Sequence, residues 1–294
     1  MARKRESCFC ISALIISQPS LRERRARINM RRSVILTGEK KHAQSARKGR
    51  VAMGSVKDNQ QEYDKRFNRW LYRVAGFSGI AIAVGYVFIT AGFTISGAPL
   101  PTGAEAWVTY MAGKSNLWWG IIWLSIITDI LYLPVAAGLY NLLKNVHKGM
   151  ILVSGALFAL FVVLELAITW SNYAAIIELI NRYGLATTEP QRTLYLSTIE
   201  YASSVIETPI NAFYAIFIPS IAVILACMVM LKSGIFGKVA SYIGLFSGTL
   251  NAFSVIGELF SSTLGLLVMP GSVLALIWFF AVGVKFLKLG RDGN

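Results

Sequence analysis

Long runs of apolar residues alternate with short polar segments from residue 74 onward. Six of these runs are long enough to cross a bilayer as helices, because a transmembrane helix needs about 20 residues to span a hydrocarbon core of roughly 30 Å. The runs cover residues 74–97, 118–143, 150–173, 210–231, 238–258, and 264 or 270 to 288. The pattern predicts an all-α, polytopic integral membrane protein with six transmembrane helices.

Two readings of the fourth run remain open. Residues 194–231 are too many for one span at about 1.5 Å per residue, and Pro209 and Pro219 interrupt them. Either a kinked helix begins near Glu200, or an interfacial segment precedes a span from Ile210 to Leu231.

The first run carries many small residues. Gly76, Gly79, Ala81, Gly85 and Gly92 all lie within it. Membrane helices approach one another most closely where such residues line the contact. We therefore expect the first helix to pack tightly against its neighbours.

Basic residues mark alternate loops between the runs. One set of segments consists of the N-terminal arm and of loops that hold Lys144, Lys148, Lys232, Lys238, Lys285, Lys288 and Arg291. The other loops hold only Lys114, Arg182 and Arg192, with more acids. Six crossings place the basic segments on one side, which the positive-inside rule identifies as the cytoplasm. Both termini are therefore expected to be cytoplasmic, in a plasma membrane of the prokaryotic inner-membrane type.

The composition separates the membrane part from an N-terminal extension. Of 294 residues, 55% are hydrophobic and 15% charged, which excludes an ordinary soluble domain with about a quarter of its residues charged. Residues 1–73 hold 19 Lys and Arg against 6 Asp and Glu, whereas residues 74–294 hold 10 against 9. We expect residues 1–73 to be a basic, disordered extension, 74–288 the six-helix domain and 289–294 a C-terminal tail.

The first 52 residues have two interpretations. Met30 and Met53 are possible later translation starts. If the start were mis-assigned, a purine-rich ribosome-binding site before Met53 would be read as coding sequence and would encode basic residues such as those at 47–50. The alternative is a functional basic arm that holds anionic lipid or nucleic acid. The mis-assigned start is favoured, so we expect no nucleic-acid partner.

Four consecutive runs each carry a polar stripe at helical spacing with one acid in it. Asp129, roughly 16 Å along its run from Trp118, has Ser125 four residues before it and Tyr132 three after it. The other stripes are Glu165, Thr169 and Asn172; Ser204, Glu207, Asn211 and Tyr214; and Ser247, Asn251, Ser254 and Glu258. An ionised carboxylate facing lipid would cost several kcal/mol, so these acids should face protein, water or a ligand, or stay protonated.

These stripes predict an acidic, outward-facing intramembrane site. The candidate binding residues are Asp129, Glu165, Glu207, Asn211, Asn251 and Glu258. The favoured function is a small-solute or cation permease whose ligand is a cation, a proton or a small amine. The alternative is a non-enzymatic membrane module that binds lipid or a partner protein, with the acids protonated and structural. Glu207 and Glu258 fit that alternative better, because acids at the outer interface cost little.

Catalytic motifs are mostly missing from the sequence. His42 and His147 are its two histidines and lie outside the apolar runs, so bis-histidine haem ligation, a His-Glu-x-x-His zinc site and a Ser-His dyad lack their residues. No phosphate-binding glycine loop is present either. We therefore expect no cofactor and no metal. A membrane enzyme that works through paired acids is a third and weaker hypothesis.

Several segments resemble one family of bacterial and archaeal membrane proteins, filed as domain of unknown function 4386. They are residues 128–131 and 139–143, Glu165, and residues 232–238 and 243–248. Phe236-Gly237 stands where that family usually has a Pro, and Tyr242 lies near its usual Trp. The resemblance extends from Ala75 to Lys288 and implies a six-helix membrane fold with no known activity.

Overall fold

The computed structural model describes residues 62–97 and 100–291. Every regular element in that part of the chain is helical, which confirms the all-α prediction. Among the described residues, those from Asp64 to Arg291 belong to one compact unit. The predictions for residues 1–61 and for residues 292–294 lie outside the described residues, whereas residues 62–73 of the expected disordered extension are helical.

The helices follow the apolar runs of the sequence. Within the described residues they are α1 (Glu62–Ser96), α2 (Ala104–Met111), α3 (Ser115–Ile130), α4 (Tyr132–Leu164), α5 (Ser171–Leu185), α6 (Glu189–Glu207), α7 (Pro209–Ala212), α8 (Ile218–Ser233), α9 (Lys238–Glu258), α10 (Ser262–Gly265) and α11 (Val268–Arg291). Two π-helical segments, Glu165–Trp170 and Phe213–Phe217, precede α5 and α8.

Five continuous helical stretches of the described chain are long and apolar enough to cross a membrane. They are Glu62–Ser96, Ser115–Leu185, Pro209–Ser233, Lys238–Glu258 and Ser262–Arg291. Their number and hydropathy support a multi-pass membrane protein. The count is five rather than six because the second and third predicted runs are joined in one stretch of 71 residues.

This 71-residue stretch folds back on itself at His147, within α4. The backbone there is non-helical, with φ −156° and ψ 84°. The ring centroids of Tyr132 and Phe161 lie 5.0 Å apart, whereas a straight helix would separate the two residues by roughly 44 Å. α4 is therefore a helical hairpin, and its turn lies at the loop between Lys144 and Lys148.

The fourth run is broken between α6 and α7. Thr208 has an extended backbone, with φ −71° and ψ 148°, and Pro209 begins the next helix. A proline disfavours helical backbone in the residue before it, which explains the position of the break. Of the two readings of this region, the structure agrees with a separate segment followed by a span, here Pro209–Ser233.

Pro219 accounts for the second π-helical segment, Phe213–Phe217. In a regular α-helix its ring would collide with the carbonyl group of Ala215, four residues earlier. The wider i→i+5 turn of the π-helical segment relieves that collision.

The sequence placed Arg182 and Arg192 in a loop, but both residues lie in helices. α5 continues to Leu185 and α6 begins at Glu189, which leaves three linking residues. Pro190 does not break α6, because it lies in the first turn, where its missing N–H is tolerated.

Glycines let α1 pack closely on two sides. A Cβ added at Gly76 or Gly79 would lie 2.9–3.0 Å from backbone atoms of Gly283 in α11. On another face, a Cβ at Gly85 would lie 2.5 Å from the Thr128 hydroxyl of α3. The close packing predicted for the first helix is confirmed.

Two apolar clusters form the core of the described chain. The central cluster contains Tyr132 and other residues of α4, α8 and α11. The aromatic cluster contains Trp107 and other residues of α2, α3, α5 and α6. Tyr86 of α1 and Leu166 pack against both clusters, so the polar groups beside them lie at the boundary between two apolar regions.

Candidate functional site

Asp129 lies at that boundary and both of its carboxylate oxygens accept hydrogen bonds. The Tyr86 hydroxyl donates to Oδ1 at 2.9 Å, and the Trp170 indole N–H donates to Oδ2 at 2.7 Å. The residue is 1% exposed. Burying a carboxyl group is costly unless its oxygens accept hydrogen bonds, and here both do. The two hydrogen bonds connect Asp129 of α3 with α1 and with the first π-helical segment.

The first π-helical segment explains why Trp170 reaches this carboxylate. A π turn hydrogen-bonds residue i to residue i+5, so residues five apart lie on the same face. Glu165 and Trp170 are the first and last residues of the segment, and both are buried. In a regular α-helix they would point in different directions, which is why the sequence pattern did not place Trp170 at the site.

Glu165 is the second buried acid of this region. It is 4% exposed and begins the π-helical segment whose last residue, Trp170, donates to Asp129. In the described chain, none of the buried polar side chains is a Lys, Arg or His. Hydrogen-bond donors, rather than a cation, therefore accommodate Asp129.

A hydrogen bond links the two π-helical segments. The Thr169 hydroxyl lies 3.2 Å from the Tyr214 hydroxyl, and both side chains are buried. Thr169 also donates to Oδ1 of Asn211 at a longer 3.5 Å. Asn211 itself donates to the Ile206 carbonyl at 2.6 Å, across the break before Pro209. Polar contacts therefore run from the first π-helical segment to the break between α6 and α7.

Three of the candidate residues line one open cavity of about 840 Å³, which we call the Glu258 cavity. Glu207 and Asn211 come from the region of the break, and Glu258 comes from the end of α9. Both acids are exposed, although Oε1 of Glu207 also accepts a hydrogen bond from the buried Trp107 indole at 3.0 Å. The lining of this cavity contains two carboxyl groups and no Lys, Arg or His.

A second cavity of about 280 Å³, the Asn251 cavity, lies deeper along α9. Tyr86, Tyr132 and Asn251 contribute its principal polar groups, and Oδ1 of Asn251 has no hydrogen-bond partner. Ala215 and Ile216 of the second π-helical segment line both cavities. The two cavities therefore share part of one short, irregular helical segment.

The six candidate residues thus fall into three groups. Asp129 and Glu165 form a buried pair, Asn251 lines the deeper cavity, and Glu207, Asn211 and Glu258 line the open one. Sequence reasoning missed the donors Tyr86, Trp170 and Trp107. Tyr86 and Trp107 lie outside the acid-bearing stripes, and their aromatic character signals only burial.

No group of three or more His, Cys, Asp and Glu side chains suited to a metal ion is found within residues 62–97 and 100–291. The polar groups that are brought together are carboxyl, amide and hydroxyl groups. These groups can bind protons, hydrated or organic cations and hydrogen-bonding solutes.

The model of one protein family matches residues 74–287, and its description is "Domain of unknown function (DUF4386)". The match contains every residue of the buried pair and of both cavities. It confirms the resemblance drawn from the sequence. No curated protein and no solved structure matches the chain.

Proposed function

We propose that this chain, which belongs to the DUF4386 family, is a permease that binds a small cation or amine in the Glu258 cavity and passes it to the Asn251 cavity. The apolar helices and the family match support an integral membrane protein. The arrangement of the two cavities supports the transport function, and the acidic lining of the open cavity is the observation that carries it.

Six crossings fit this proposal. Each arm of the stretch that reverses at His147 is longer than the roughly 20 residues that a crossing needs. Counting these arms separately turns five stretches into six crossings. Lys144, Lys238 and Lys288 then lie on one side of the membrane, which by the positive-inside rule is the cytoplasmic side. Both termini lie on that side as well.

Reporter fusions test this topology. Fusions after Lys148, Lys238 and Lys288 should report the cytoplasm, and fusions near Gly103 and Thr187 should report the outside. A cytoplasmic signal near Thr187 would contradict the six crossings and the outward opening of the Glu258 cavity.

The Glu258 cavity has the charge expected of a cation entry site. Glu207 and Glu258 supply negative charge without a basic neighbour in the lining. A cleft lined by one sign of charge raises the local concentration of oppositely charged solutes. With the proposed topology, this cavity opens toward the outside.

The two cavities succeed one another along α9. Ser247 and Asn251 line the deeper cavity, and Val255 and Glu258 line the open one. Four residues of helix correspond to about 6 Å, so a solute could move from one cavity to the next over a short distance. The polar side chains of Tyr86, Thr90 and Asn251 line the inner position.

Asp129 has a supporting role in this proposal. It lines neither cavity, but it accepts the hydrogen bond that orients Tyr86, which lines the deeper one. A solute that contacts Tyr86 would therefore affect the buried pair indirectly. This division assigns solute binding to Glu207 and Glu258 and structural support to Asp129.

Uptake of radiolabelled methylammonium into proteoliposomes tests the proposal, with thermal stability in detergent as a second readout. Sodium, ammonium and methylammonium salts would be compared at equal ionic strength. The Glu207→Gln/Glu258→Gln variant should fold normally but lose both uptake and cation-induced stabilisation. Glu105→Gln, which neutralises an exposed acid in neither cavity lining, is the matched control and should behave as the wild type.

A wild-type protein that shows neither uptake nor cation-dependent stability would contradict the proposal. The non-enzymatic membrane module would then be the better explanation of the buried acids. Equal losses in the cavity variant and in Glu105→Gln would also count against a site in the Glu258 cavity.

A further inference from the structure

We propose that a groove between α1 and α11 binds an anionic phospholipid. The groove has a volume of about 490 Å³ and lies away from both cavities described above. Its lining combines three basic and three apolar side chains: Arg73, Phe77, Val284, Leu287, Lys288 and Arg291. None of these six residues lines either cavity, so this site is independent of the proposed transport function.

The close approach of the two helices builds the groove. Gly76 lies against Gly283, and Arg73 lies against Gly290, so residue numbers rise along α1 as they fall along α11. The two helices are therefore antiparallel. Phe77 is consequently at nearly the same depth as Val284, one turn deeper in the bundle than the basic residues.

Arg73 is held in place by the end of α11. Its Nε donates to the Gly290 carbonyl at 3.2 Å, which satisfies one of the carbonyl groups left open in the last turn of a helix. A Cβ at Gly290 would lie 2.9 Å from Cγ of Arg73, so the glycine leaves room for this side chain. The contact uses one of five guanidinium N–H groups.

The distribution of side chains matches the two ends of a phospholipid. Arg73 on one wall and Lys288 on the other place positive charge at the end of the groove. One turn deeper, Phe77 is 66% exposed and Val284 is partly exposed, and Leu287, next to Lys288, is also partly exposed. An anionic headgroup would meet the basic end, and an acyl chain would lie along the apolar end.

A phospholipid fits this groove better than a free anion does. Basic pockets between transmembrane helices bind anionic headgroups, and this groove combines basic with apolar side chains. Free phosphate would leave the exposed Phe77 ring without a partner. A zwitterionic lipid would bring its own positive group close to Arg73 and Lys288.

The full chain, purified in detergent and stripped of lipid, would be titrated with phosphatidylglycerol, phosphatidylcholine and inorganic phosphate. Bound lipid would be counted by native mass spectrometry, and thermal stability would be followed in parallel. We expect phosphatidylglycerol to bind and stabilise the protein well above phosphatidylcholine, and inorganic phosphate to have no effect. Lys288→Gln should weaken phosphatidylglycerol binding about five-fold, the usual effect of one basic residue near a membrane surface.

Lys285→Gln is the matched control. Lys285 lies on the same helix, one turn earlier, but does not line the groove. It should leave phosphatidylglycerol binding unchanged. The proposal is overturned if both lipids bind equally, if inorganic phosphate stabilises the protein as much as the lipid does, or if Lys285→Gln weakens binding as much as Lys288→Gln.

Discussion

Asp129 and Glu207 each accept a hydrogen bond from a buried tryptophan, at 2.7 Å and 3.0 Å, yet their surroundings differ. Asp129 is 1% exposed and its second oxygen is held by Tyr86. Glu207 is exposed and faces an open cavity beside Glu258. The same indole contact therefore occurs in a closed network and at the edge of an open cavity. Burial, rather than the hydrogen bond, separates a structural acid from one that can meet a solute.

The largest expected effect comes from making the closed network apolar. Asp129→Leu leaves the Tyr86 hydroxyl and the Trp170 N–H without an acceptor, and we expect a loss of about 2–4 kcal/mol in the free energy of unfolding. Asp129→Asn should cost less than about 1 kcal/mol, because an amide can accept from the indole and donate to the phenol. Denaturant or thermal unfolding in detergent measures both.

Ser125→Ala is the control for that comparison. Ser125 lies one turn before Asp129, is equally buried, and its hydroxyl has no hydrogen-bond partner. Its removal should not destabilise the protein. If Asp129→Leu were as harmless as Ser125→Ala, the structural role assigned to Asp129 would be wrong.

The next effect compares the two tryptophans directly. Trp170→Phe and Trp107→Phe remove the same indole N–H from a carboxylate and reduce side-chain volume equally. We expect Trp170→Phe to cost about 1–2 kcal/mol more, because water can replace the lost donor at the exposed Glu207 but not at Asp129. Equal losses in unfolding free energy would contradict the distinction drawn from burial.

A smaller effect is expected at the hydrogen bond that links the two π-helical segments. Tyr214→Phe removes the hydroxyl that lies 3.2 Å from Thr169 and links the π-helical segments. We expect a loss of about 0.5–1.5 kcal/mol, typical of one hydrogen bond, with little cavity formation. Tyr201→Phe, at a residue that is 70% exposed, is the control and should be silent. A silent Tyr214→Phe would show that the link contributes nothing to stability.

The smallest stability effect should come from the open cavity. Glu258→Gln removes an exposed charge, so the free energy of unfolding should change by no more than about 0.5 kcal/mol. The variant should differ from the wild type in thermal stability only when a cation is added, because it lacks one of the two carboxylates of the cavity. A large loss of stability in the absence of cations would place Glu258 among the structural acids.

The sequence predicted those features that depend on one helix at a time. The bounds of α9, Lys238–Glu258, agree with the predicted fifth run, and the small residues of the first run lie at close helix contacts. Apolar length and glycine spacing are local properties, so they can be read without knowing which helices are neighbours.

The grouping of the six polar candidates could not be predicted in the same way. Asn251 and Glu258 share a stripe on one helix but line different cavities. Trp170 reaches Asp129 only because the π turn departs from α-helical spacing. Such departures depend on packing against other helices, which a period of 3.6 residues does not report.

The glycine contact between α1 and α11 has a consequence for biosynthesis. Gly76 leaves the ribosome about 200 residues before Gly283, its partner in the last helix. At roughly 5–20 residues per second, this helix face waits on the order of 10–40 s for its partner. During that interval the insertion machinery, another helix or lipid must cover it. We therefore expect α1 to remain bound to insertion factors in chains truncated before α11, and to leave them once α11 has been made.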